Sequence, residues 1–64
     1  MTTYTIYDTR KGTPLSKPYT DKGLAEVCME MQIIEQALDQ GFTLQNAWKC
    51  SIDNNPFMIE LVEA

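Results

Sequence analysis

The reactive side chains of this chain are two cysteines, nine carboxylates and five cations, with no histidine among 64 residues. Each chemistry they could support lacks a partner. Cys28 and Cys50 have no imidazole to take up a thiol proton, so neither is set up as a nucleophile. Two sulfurs fall short of the tetrahedral ligand set of a structural zinc, and no metal is expected. Glu26/Glu30 and Glu35/Asp39 are carboxylate pairs at i,i+4. Such pairs do acid–base work where burial or crowding shifts one member, and a helix surface offers no evident burial. No glycine-rich phosphate loop is present. The sequence predicts neither an enzyme nor a cofactor, and the question becomes what the chain binds.

Nucleic acid would use Arg10, Lys11, Lys17 and Lys22, with Tyr4, Tyr7 and Tyr19 available for stacking. A net charge of −4 and an isoelectric point near 4.4 make that a poor electrostatic footprint. Weak binding through this basic first hairpin is kept as a minor alternative. The charge is also unevenly placed: residues 1–23 sum to +2, whereas residues 24–64 carry Lys49 alone against seven acids and sum to −6. That asymmetry bears on partners and encounter rates. The same acids could mimic a nucleic-acid backbone against a basic groove, although nine in 64 residues is a moderate density.

Elements must position these groups. Residues 1–64 read as a single domain, and a chain this short buries only about 60% of the surface its unfolded form exposes. Tyr4-Thr5-Ile6-Tyr7 is β-branched and aromatic and predicts a strand. Asp8 to Gly12 reads as a turn, with Asp8 capping the loop and Gly12 in a left-handed position. Thr13 to Ser16 reads as a return strand confined to a sheet edge by Pro14 and Pro18. Thr20 or Asp21 caps a helix that Gly41 ends, with Phe42 packing back on Leu38. Trp48, Cys50 and Ile52 alternate with polar residues and predict a half-buried strand, although residues 42–46 read equally as loop. Asp53-Asn54-Asn55-Pro56 is a turn, and Phe57 to Val62 alternates again. The expected fold class is α+β: one helix packed on a four-stranded antiparallel sheet, in the order β-β-α-β-β.

The helix carries two apolar stripes. Over Thr20 to Gln40, Leu24, Val27, Cys28, Met31, Ile34 and Leu38 share one side. Met29, Ile33 and Ala37 fall nearly opposite, beside Glu26 and Glu30. A helix needs one stripe to sit on its core, and the larger is expected there. The smaller then faces outward as a partner surface formed by Glu26, Met29, Glu30, Ile33 and Ala37, with Gln36 and Gln40 at its rim. Changing Met29 and Ile33 together to Glu is expected to spare the fold and abolish association. The helix has no Lys or Arg from Leu24 to Gln40, and its like-charge pairs cost a few tenths of a kcal/mol each. A basic protein surface is therefore the expected partner, with a homodimer as the alternative.

Cys28 and Cys50 leave three states open: free thiols packed as small hydrophobes, one disulfide, or a redox pair. Met1-Thr2-Thr3-Tyr4 lacks the basic and apolar regions of a signal peptide, and no stretch approaches a membrane span. The expected location is cytoplasmic, with no membrane partner.

In size, acidity and hairpin–helix–hairpin order, from Tyr4-Thr5-Ile6-Tyr7 to Phe57-Met58-Ile59-Glu60-Leu61, the chain resembles short accessory proteins of bacteriophages and mobile elements. Anti-CRISPR and other anti-defence inhibitors are among them. The resemblance implies stoichiometric blockade of a larger host protein in the host cytoplasm. It carries no diagnostic motif and transfers no functional residue.

Overall fold

The computed structural model describes residues 1–64. Strand β1, Tyr4–Asp8, runs through the middle of a three-stranded antiparallel sheet. At Asp8 the chain reverses: the Asp8 carboxylate accepts from the backbone N–H groups of Arg10 (3.0 Å) and Lys11 (3.4 Å), and Gly12 takes φ +66°. Both roles match the expected turn. Strand β2, Thr13–Pro14, returns beside β1 as a two-residue edge. The sheet then continues along β1 by other means. Ser16 Oγ accepts from the Ile6 N–H, and Tyr19 exchanges two backbone hydrogen bonds with Tyr4.

Helix α1, Lys22–Asp39, opens at Asp21, whose side chain accepts from the Leu24 N–H at 3.2 Å. It closes in a full Schellman motif. Phe42 N–H donates to the Ala37 carbonyl, Gly41 N–H donates to that of Leu38, and Gly41 sits at φ +90°. Phe42 then meets the Phe57 ring, with centroids 5.7 Å apart, and Leu38 stays exposed.

Two corrections follow. The strand expected at Trp48–Ile52 does not form. Thr43 Oγ1 accepts from the Asn46 N–H and caps a short helix, α2, Leu44–Trp48. Cys50 and Ala47 turn inward from it, whereas Trp48 is 62% exposed. The observed order is therefore β1-β2-α1-α2-β3, with three strands in place of four. Strand β3, Ile59–Glu63, pairs with β1 from Tyr4↔Glu63 to Asp8↔Ile59, and the sheet order is β2-β1-β3.

The second correction concerns which stripe of α1 is inside. Ile33 and Ala37 have no exposed surface, nor does Ala25, and Met29 is buried with them. Met29, Ile33 and Ala37 pack in one cluster with Ile6, Ile59 and Phe57, and Ile34 belongs to it as well. Leu24, Val27, Met31 and Leu38, expected in the core, are exposed. The cause is the missing strand. The register places Tyr4, Ile6 and Asp8 on the same face as Ile59, Leu61 and Glu63, so the face toward the helix offers a narrow apolar strip. A stripe of four long side chains would need a wider sheet. Cys28 and Cys50 are free thiols, half-buried and buried respectively. No helix is long and apolar enough to cross a membrane.

Candidate functional site

The seven residues expected to form a partner surface do not share one. Met29, Ile33 and Ala37 are core, Glu26 and Gln36 are half-buried, and Glu30 and Gln40 are exposed. The burial of the first three removes the apolar anchors from that surface, so the outward helical face as expected does not exist.

The structure leaves a different face of α1 open. Leu24, Val27, Met31, Ile34 and Leu38 follow one another at intervals of three, four, three and four residues. This is the spacing of a coiled-coil seam, in which a helix presents a narrow apolar ridge to another helix. Leu24, Val27, Met31 and Leu38 are between 43% and 61% exposed, and Ile34 lies at the border with the core. Helical projection places Glu30 on one flank of the seam and Glu35 on the other, both exposed. The signal is present in the sequence as the larger apolar stripe, whose destination is solvent in place of the core.

A second feature lies on the opposite side of the molecule's plan, where the N-terminal half of α1 passes the outer edge of β3. The hydrogen-bonded pairs between β1 and β3 include Thr3 with Ala64, and Thr9 N–H reaches the Met58 carbonyl. Alternation along an antiparallel ladder then makes Thr5 with Val62 and Tyr7 with Glu60 the other bonded pairs. The N–H and C=O groups of Leu61 and Glu63 therefore point away from β1, as does the N–H of Ile59, toward an edge with no neighbouring strand. The Ile59 carbonyl is taken by the Asn55 side chain, which also accepts from the Phe57 N–H and so fixes the turn before β3. An open groove borders this edge. Glu26, Asp53, Glu60 and Glu63 line it against a single cation, Lys22, and Met29 and Leu61 contribute apolar wall.

The basic first hairpin forms no comparable site. Arg10 leans on Asp8 with Nε 3.6 Å from the carboxylate, and the exposed Lys11 and Lys17 surround no cavity. Tyr19 packs on the core next to Cys28. A side-chain hydrogen bond with Cys28, then desolvation, then the charge of that sulfur when ionised hold its phenol pKa above the ordinary value.

No protein-family model, no curated protein and no solved structure matches this chain.

Proposed function

We propose that this chain is a non-catalytic protein-binding module that docks a partner helix on the exposed seam of α1 and acts by stoichiometric occupation of that partner. One observation carries the reading: Leu24, Val27, Met31 and Leu38 stand in solvent on one stripe of α1, whose remaining heptad member, Ile34, turns into the core. Scattered exposed hydrophobes are ordinary, but an aligned seam gives a second helix continuous apolar contact. Glu30 and Glu35 beside it, with no cation between Leu24 and Gln40, select a partner helix with Lys or Arg flanking its own apolar ridge. The resemblance to small phage inhibitors supports the stoichiometric mode through size and acidity. Its third support, a closing hairpin, falls away with the strand at Trp48–Ile52. A cytoplasmic setting, in a host cell for a phage product, belongs to the same proposal.

The second reading is a homodimer through the same seam. It is favoured by the small core, in which only 11 of 64 residues are buried, because a second copy would cover more apolar surface. It is opposed by the flanks, since two copies would bring Glu30 and Glu35 against their own kind. Light scattering over a dilution series separates the two. A single-chain mass throughout supports the hetero-partner. A dimer that Val27→Glu with Met31→Glu splits, leaving circular dichroism unchanged, establishes the second reading. A folded wild-type monomer that fails to bind a synthetic amphipathic helix with Leu in its seam and Lys on its flanks overturns the first.

A further inference from the structure

We propose that the acidic groove beside the free edge of β3 receives an extended, basic segment of a partner protein, which pairs with β3 as a fourth strand. Three independent features converge on this edge. The outward N–H and C=O groups of Leu61 and Glu63, with the N–H of Ile59, present an unpaired ladder. Such a row binds extended chain through main-chain hydrogen bonds, and pockets for alternate side chains add specificity. The groove supplies those pockets: the helix stands off the edge, and Met29 and Leu61 form wall where an inward side chain of the incoming strand would rest. Charge selects the occupant, because Glu26, Asp53, Glu60 and Glu63 surround the edge with Lys22 as the only counter-charge.

That charge also discriminates against the simplest competitor, a second copy of this chain. Pairing β3 with itself would bring two sets of Glu60 and Glu63 together, and like charges across a strand pair are destabilising. A Lys- or Arg-bearing strand relieves both the charge and the open ladder. The opposite edge of the sheet offers no such site. Pro14 has no N–H to give, and Ser16 and Tyr19 already occupy the groups of Ile6 and Tyr4. This inference does not rest on the α1 seam, and either can fail alone.

The test is titration of the full chain with a labelled peptide alternating Lys and Val, followed by amide hydrogen exchange. The expected result is binding that weakens with salt and slows exchange at Leu61 and Glu63 by about tenfold or more. N-methylation of the peptide at every residue, which removes the donors of both its edges, abolishes binding. Glu63→Pro, which deletes one outward N–H, weakens it more than Glu63→Gln does. Val27→Glu with Met31→Glu leaves it unchanged. Three results would each overturn the proposal. One is absence of binding at low salt. Another is binding that leaves both amides unprotected or tolerates the methylated peptide. The last is concentration-dependent protection without peptide, which would assign the edge to self-pairing.

Discussion

The two faces of α1 are almost equally apolar, yet one is core and the other is solvent. Met29, Ile33 and Ala37 are buried in the cluster that holds Ile6 and Ile59, Ala25 is buried beside them on the helix, and Leu24, Val27, Met31 and Leu38 are exposed. Hydrophobicity did not choose between them; shape did. The inward face sets Met29 and Ile33 between two alanines, Ala25 and Ala37, a narrower profile that suits the apolar strip formed by Ile6 and Ile59. The outward face is a ridge of long side chains suited to a rounded partner, such as another helix. A chain can therefore carry more apolar surface than its own sheet can cover, and under the proposed function the surplus is the docking face.

The sharpest way to break this comparison is to place charge on each face in turn. Met29→Glu with Ile33→Glu puts one carboxylate at a fully buried position and a second between the core and the groove wall, and the combined cost exceeds the roughly 5 kcal/mol margin expected of a small domain. Far-ultraviolet circular dichroism should show an unfolded chain at every concentration. A cooperative native spectrum would return this face to the surface and reverse the assignment. Next in size, Ile33→Ala should lower stability by about 2–5 kcal/mol through the cavity it leaves. Urea unfolding should report a much lower midpoint. Asp21→Ala and Gly41→Ala act on the ends of both faces alike, by loss of the cap and by strain at positive φ, and each should cost about 1 kcal/mol. Neither should alter partner binding at a concentration where the chain stays folded. The smallest effect on folding belongs to Met31→Ala, which should shift stability by no more than about 0.5 kcal/mol. The same change should weaken association through the seam, measured with the synthetic helix.

Much of this architecture was legible because its causes are local. The Asp8–Gly12 turn, the cap at Thr20 or Asp21, the Gly41 stop and a last strand within Phe57–Val62 each depend on residues within a few positions of one another; the cap falls on Asp21 and the strand runs Ile59–Glu63. The α+β class followed from those parts. Two things were not legible. Trp48, Cys50 and Ile52 alternate as a strand would, yet Thr43 and its hydrogen bond to Asn46 start a helical turn that carries Trp48 outward. A five-residue helix has too few positions for its period to outweigh an alternation of two. The inner face of α1 could not be chosen from the helix alone, because the choice depends on sheet width, and sheet width depended on that same segment. Of the candidate site, Glu30 and Gln40 are exposed, Glu26 and Gln36 are half-buried, and Met29 reaches the surface only as wall of the groove beside β3.

Pro14 sets a limit that reaches beyond this one molecule. It occupies one margin of the sheet, and the other margin ends in hydrogen-bonding groups without a mate. A sheet open on both sides can be lengthened indefinitely by copies of itself, as fibrils are. With one side closed, any strand that joins at β3 meets a unit that can accept but cannot pass the pairing on. Added to a growing stack of strands, this protein would be its last member.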